Sequence, residues 1–206
     1  MRRIGHRGAM GHAPENTIAA FQKAIDLGCD AIETDVWLIE AGRLVVSHDP
    51  PGRDTALTLE EVLDFCHGKL EVNVELKCVA SEHRADETGL RAAEIIAVRG
   101  DPHVFVSSFW WSALEGSRRA GLAVRRAFLF SDSPDRRALL ASARAAGLWA
   151  LHPNRAYVTP ELVRDAHAAG LVVNAWTVNE PREIAQFREW GVDGIMSDYP
   201  ERVPKD

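Results

Sequence analysis

Short apolar runs of strand type alternate with amphipathic helical stretches along the whole chain, and this alternation limits the fold more than any other feature of the sequence. Strand signals fall at RRIGH (2–6), DAIETDVWLI (30–39), LEVNVEL (70–76), HVFVSS (103–108), LAVRRAFLF (122–130), LWALH (148–152), LVVNAWTV (171–178) and VDGIMS (192–197). Helical patterns separate them at 16–27, 57–66, 83–98, 112–121, 134–147, 160–170 and 181–191. One further extended piece, RLVVSHD (43–49), follows the second strand across the turn signature Glu40-Ala41-Gly42. Strand–helix repetition requires a parallel sheet. Eight such units imply an α/β fold of the closed (β/α)8 TIM-barrel type, taken here as one domain over residues 1–206. The length is short for that fold, so the loops must be short. An open doubly wound sheet is the alternative, and the lack of a G-x-G-x-x-G after any strand weakens its dinucleotide-binding form.

Local signals support individual elements. Ile18, Phe21, Ala24 and Ile25 form one apolar stripe on the first helix, and Gly28 reads as its stop. Thr58 with Glu61 three residues later predicts a capping box at the start of the second helix.

Composition narrows the function. The chain is 46% apolar with a net charge of −6, which argues against general affinity for nucleic acid or anionic membrane. No apolar run approaches a membrane span. The first strand begins almost at Met1 and leaves no room for a hydrophobic leader, so the expected location is cytoplasmic. Cys29, Cys66 and Cys78 are odd in number, lack CxxC spacing and read as reduced core or near-core thiols.

Barrel active sites lie at the C-terminal ends of the strands, so the polar residues there carry the chemistry. His6 and Arg7 end the first strand. Glu33 and Asp35 lie two apart in the second and share a face; Glu75 and Lys77 do the same in the third. His48 and Asp49 follow the extra extended piece. Three carboxylates aimed inward from adjacent strands repel in a low dielectric, and a cation resolves this. All-oxygen ligation by Glu33, Asp35 and Glu75 suits Mg²⁺ or Ca²⁺; zinc is the weaker option. Arg7 and Lys77 add positive charge suited to phosphate or another oxyanion. His6 and His48 approach from different loops, as a general acid and base on opposite sides of phosphorus would.

Plainer readings stand beside these. A single His near a strand end is more often structural. Glu33 and Asp35 could form a solvated strand face, although Ile32, Thr34 and Val36 occupy the other parity and suit the helix side. Glu75 and Lys77 could be an ordinary ion pair, worth little. His12, His67, His83, His103 and His167 are placed on surfaces or turns without partners. Trp176, ending the seventh strand, is either core or a wall against an apolar part of substrate. Phe109 to Trp111 offer the same choice, wall or helix anchor. Asp198 either binds a positive group or caps its loop.

The ordered set GHRG, PENT, IETDV, VVSHD, VELK, SSF, WTVN and GIMSDYP resembles the glycerophosphodiester phosphodiesterases, over nearly the whole chain from Ile4 to Pro200. The resemblance implies a (β/α)8 barrel. It implies Glu33, Asp35 and Glu75 as ligands of Mg²⁺ or Ca²⁺, His6 and His48 as the acid–base pair (His6 as base), Arg7 and Lys77 on the phosphate, and Trp176 lining the pocket. The implied reaction is hydrolysis of a glycerophosphodiester to sn-glycerol 3-phosphate and an alcohol. A glycerol hydroxyl attacks phosphorus first and water opens the cyclic phosphate, or water attacks directly. One departure stands out. The family usually carries an insertion between the His-Asp and the third strand, and here little more than a short helix separates Asp49 from Glu75. A more open site would accept bulkier diesters such as lysophospholipids. The alternatives are a phospholipase D-like lysophospholipid hydrolase or lyase, and a non-catalytic phosphate-binding module. Against the last, every expected catalytic position is filled.

Overall fold

A computed structural model describes residues 1–52, 55, 57–79, 81–120 and 124–205. Nine strands form one sheet: β1 (Arg2–Gly5), β2 (Ala31–Leu38), β3 (Leu44–Val46), β4 (Glu71–Lys77), β5 (Val104–Ser108), β6 (Arg125–Phe130), β7 (Ala150–Pro153), β8 (Val172–Ala175) and β9 (Gly194–Ser197). Neighbours run in the order β1-β9-β8-β7-β6-β5-β4-β2, and β1 also pairs with β2, which closes an eight-stranded parallel barrel. The doubly wound alternative is thereby excluded. The ninth strand, β3, pairs antiparallel with the far end of β2, with Val36 opposite Val46.

Seven helices cover the barrel among the described residues: α1 (Ile18–Asp26), α2 (Leu59–Cys66), α3 (Glu82–Arg99), α4 (Trp111–Arg119), α5 (Arg136–Ala145), α6 (Pro160–Ala168) and α7 (Pro181–Glu189). After β9 a 3₁₀ turn, Pro200–Arg202, takes the eighth place. Helix and strand boundaries follow the sequence reading closely. The start of the expected strand at 122 and 123, the helix end at 121, and residues 53, 54 and 56 of the stretch after Asp49 lie outside the described residues. None of the described helices is long and apolar enough to cross a membrane.

The local signals behave as their chemistry dictates. Thr58 and Glu61 form the full capping box at α2. Gly28 follows α1 at φ 69°, a conformation glycine adopts without strain. The expected stripe on α1 shifts: Ala20, Phe21 and Ala24 are buried, whereas Ile18 is 37% exposed. The β1–α1 loop causes this. It lies on the first turn of α1, where the Ala9 amide donates to the Ala20 carbonyl at 3.0 Å and a Cβ on Gly8 would stand 2.6 Å from the Ala20 backbone.

The main core lies between strands and helices and contains Ile32 and Val36, the outward parity of β2. Ala31, on the other parity, packs with Ile4 and Met196 in a separate cluster, against which the half-buried Trp176 rests. Cys29 and Cys66 are buried and Cys78 half-buried, all as free thiols; burial pushes the Cys29 and Cys66 thiols up to about 12. Helices α3 and α4 cross at backbone contact. A Cβ on Gly89 would stand 1.8 Å from the Ala113 carbonyl oxygen, and one on Gly116 2.1 Å from that of Asp86. Neither carbonyl can retreat without breaking its helix. Gly89→Ala is therefore expected to destabilise by at least about 2 kcal/mol through overpacking, read as a lowered denaturation midpoint.

Candidate active site

Alternation along β2 sends Glu33 and Asp35 to the barrel interior, and the parallel register sets Asp35 beside Glu75 of β4. Glu33, Asp35 and Glu75 are 2%, 0% and 8% exposed, and one oxygen from each lies within 4.8 Å of the others. A solvated strand face is ruled out for them.

Two cations face this trio. The Lys77 ammonium lies 2.6 Å from Glu75 Oε1 and 3.0 Å from Asp35 Oδ1. The Arg7 guanidinium lies 3.3 Å from Asp35 Oδ2 and 2.7 Å from Glu15. Burial works against the Lys77 charge, yet Glu75 and Asp35 hold its pKa above the ordinary value. Arg7 behaves alike: burial works against its charge, and Asp35, Glu15 and Glu33 together hold its pKa above the ordinary value. Burial, reinforced by the neighbouring carboxylates, lifts Glu33 well above its ordinary range and lifts Glu75 as well. Three carboxylates thus share two fixed cations, one of them diverted to Glu15.

The trio fits a hard divalent cation. Its donors are all oxygens, and Glu33 Oε1 is buried with no hydrogen-bond partner among the described residues. Two oxygens on opposite sides of such an ion, each at about 2.4 Å, stand about 4.8 Å apart.

The β1–α1 loop builds the rest of this wall. Arg7 and Asn16 are non-glycine residues at φ 50° and 56°, a strained conformation held by what their groups bind. The Arg7 amide donates to Glu33 Oε2 at 2.9 Å. Asn16 Nδ2 donates to Asp35 Oδ2 at 2.9 Å, and Asn16 Oδ1 accepts from the Thr34 hydroxyl at 2.9 Å. Asn16 and Glu15, within the PENT tag, thus brace Asp35 and Arg7. Sequence reasoning gave them no role, since nothing in the spacing shows a loop folding back over β2.

His6 is held from the last strand. Its Nδ1 lies 2.6 Å from Asp198 Oδ1. Asn179 Nδ2 donates to Asp198 Oδ2 at 2.7 Å, and Asn179 Oδ1 accepts from the Ser197 hydroxyl and the Asp198 amide, each at 2.9 Å. Burial opposes the Asp198 charge, but the bonds from His6 and Asn179 keep its pKa below the ordinary value. Of the two readings offered for Asp198, neither is met as stated: its side chain partners the His6 imidazole and the Asn179 amide. His48 stands at the end of the β2–β3 hairpin, with Nδ1 2.9 Å from the exposed Asp49. The Trp37 indole donates to the His48 carbonyl at 3.3 Å.

A cleft of about 370 Å³ brings His48 together with Glu75 and Lys77, with Trp37, Val79 and Phe109 also in its lining. Trp176 meets Phe109 edge-on with centroids 5.5 Å apart, and its indole donates to the His152 carbonyl at 2.7 Å. Trp110 is half-buried and donates to the Cys78 carbonyl at 3.0 Å, an anchor, whereas Phe109 is 39% exposed.

The five histidines expected on surfaces or turns without partners correct that expectation. Each has a carboxylate partner: His12 with Glu201 at 3.1 Å, His67 with Asp101 at 2.9 Å, His83 with Glu87 at 3.2 Å, His103 with Glu71 at 3.5 Å and His167 with Asp193 at 2.8 Å. Only the His83–Glu87 pair is one helical turn apart; the others join elements distant in sequence.

Comparisons with known proteins converge. The Glycerophosphoryl diester phosphodiesterase family model matches residues 6–57 and 50–202. The two segments overlap at residues 50–57, just after His48 and Asp49. The chain is 33% identical to an uncharacterised Bacillus subtilis protein, over 97% of this chain and 96% of that one. It is 31% identical to a glycerophosphodiester phosphodiesterase of Bacillus altitudinis, over 98% and 96%. Among solved structures, an Oleispira antarctica phosphodiesterase in complex with the product sn-glycerol-3-phosphate superposes with TM-score 0.86 at 26% identity, covering 98% of this chain and 95% of that one.

Proposed function

The chain belongs to the glycerophosphoryl diester phosphodiesterase family and is a glycerophosphodiester phosphodiesterase, and on that premise we propose how its residues divide the work. Glu33, Asp35 and Glu75 hold a divalent cation, Mg²⁺ or Ca²⁺. When bound, that ion supplies the positive charge that neutralises the trio and polarises the phosphoryl group. The observation that carries this reading is the buried all-oxygen trio, with a Glu33 oxygen unpartnered among the described residues, whose Glu75 lines one cleft with Lys77 and His48.

Arg7 and Lys77 bind the non-bridging phosphate oxygens. The carboxylate of Asp198 accepts a hydrogen bond from the Nδ1–H of His6, which keeps that proton on Nδ1 and leaves the lone pair on Nε2. His6 then accepts the proton of the attacking hydroxyl, either the substrate's own glycerol hydroxyl or water. His48, from the opposite wall, protonates the departing alcohol. Phe109 and Trp176 pack against the apolar part of the substrate. The products are sn-glycerol 3-phosphate and an alcohol, made by a single barrel domain. Reaction on lysophospholipids is the second reading, favoured by Val79 and Phe109, 71% and 39% exposed in the cleft that His48 lines, as apolar surface for the acyl chain that stays on the glycerol.

A release assay on a panel of diesters tests both. Activity should disappear in EDTA and return with Mg²⁺ or Ca²⁺. Bulky alcohols should be cleaved with kcat/KM within about tenfold of glycerophosphoethanolamine. Turnover that persists in EDTA removes the metal assignment, and a sharp preference for the smallest alcohols removes the open-cleft reading. Lysophosphatidic or cyclic phosphate in place of free sn-glycerol 3-phosphate would mark the second reading.

A further inference from the structure

The barrel interior beneath the acidic trio is not packed in the usual way. Barrel lumens of this fold are filled mainly by bulky branched side chains. Here β4, β5, β7 and β8 place Asn73, Ser107, His152 and Asn174 in the interior, each 0% exposed. Their inward aim rests on contacts. His152 meets Phe105 edge-on, Asn174 Nδ2 lies 3.0 Å from His152 Nε2, and Asn174 Oδ1 would lie 2.4 Å from a Cβ on Gly194. Asn73 pairs in register with Glu33, and Ser107 with Glu75. Small residues surround them, with Ala127 opposite both Ser107 and Ala150.

Five polar atoms of this group have no hydrogen-bond partner among the described residues: Asn73 Nδ2 and Oδ1, Ser107 Oγ, His152 Nδ1 and Asn174 Oδ1. Turning over the Asn174 amide exchanges donor and acceptor with His152 but leaves the same number of atoms unpaired. Each buried polar atom left unpaired costs about 1–3 kcal/mol, so five together rival the whole stability of a domain. They must be satisfied by something that enters the lumen.

The chemistry selects the occupant. The set mixes donors (Asn73 Nδ2 and, with Asn174 Nδ2 donating, the His152 Nδ1–H) with acceptors (Asn73 Oδ1, Asn174 Oδ1), and Ser107 Oγ is both. A cation would want acceptors only and an anion donors only. Water offers both. Burial pushes His152 down to about 3, so the ring is neutral and presents no charge for an ion.

We propose that the lumen below the acidic trio is an internal water-binding site, in which waters held by Asn73, Ser107, His152 and Asn174 form a hydrated floor that reaches Glu33 Oε1. The trio is then solvated from beneath as well as from the cleft. This holds whether or not the trio binds a metal.

Two measurements on the intact chain decide it. A crystal structure at about 1.5 Å should show ordered waters within hydrogen-bond distance of at least three of the four side chains. Ser107→Ala should lower the melting temperature by roughly 2–4 °C, because a water loses a partner. In a dry lumen the same change removes an unsatisfied hydroxyl and raises the melting temperature. A rise, a lumen without water density, a peak contacted by oxygens only as for a cation, or side chains paired directly with one another would each overturn the proposal. If Ser107→Ala does not fold, the wild-type density alone decides.

Discussion

His6→Ala is expected to lose at least about 10²-fold in kcat while keeping close to the wild-type melting temperature. The imidazole is partly solvent-exposed and its backbone amide, which bonds to Ser197, is untouched by the change, so the fold has little to lose. The chemistry has more to lose, because the proton of the attacking hydroxyl then has no acceptor. Asp198→Asn separates orientation from charge. The amide can still sit beside Nδ1 but no longer offsets the charge that His6 gains as it accepts the proton. A drop in kcat of roughly tenfold or more is expected, with KM little changed. Near-wild-type turnover in His6→Ala or in Asp198→Asn would remove His6 from the role of base.

The second large effect concerns stability without metal. Glu33 and Glu75 have folded-state pKa values above the 4.5 of a free glutamate, chiefly from burial and then from repulsion by Asp35. Over the window above 4.5 the native state therefore holds more protons than the unfolded chain, and stability falls as pH rises. In EDTA the wild-type protein should melt progressively lower from pH 5 to pH 8. Glu33→Gln removes one of these charges without changing shape. Its metal-free form should melt higher than wild type at pH 8, by on the order of 5 °C, while its metal-dependent activity collapses. Mg²⁺ or Ca²⁺ should raise the midpoint of wild type and do so much less for the variant. Equal pH dependence of the two metal-free proteins would show that Glu33 carries no such burden.

Most of the barrel was legible because its signals are local. Strand parity, helix periodicity, the Thr58 box and the Gly28 stop each act over a few residues. The inward placement of Glu33, Asp35 and Glu75 followed from period two along β2 and β4. What escaped the reading depends on contacts between distant segments. Asn16 reaches Asp35 only because the β1–α1 loop folds back over β2. Asp198 meets His6 only because the last strand closes on the first. Ile18 turned outward because that same loop covers the first turn of α1. His152 and Asn174 drew no notice in LWALH and NAWTVN, because a polar residue inside an apolar strand acquires meaning only when the opposite wall is known.

The β2–β3 hairpin has a consequence for how such an enzyme could diversify. The trio, His6 and Lys77 belong to the rigid cylinder or its rim, where any displacement is felt all round the ring. His48 instead rides on a short antiparallel ribbon sewn to one strand by three residue pairs. Leu44 and Val46 are buried in the main core, so its position would be retuned through the residues after Asp49. Selection for new leaving groups would act there first.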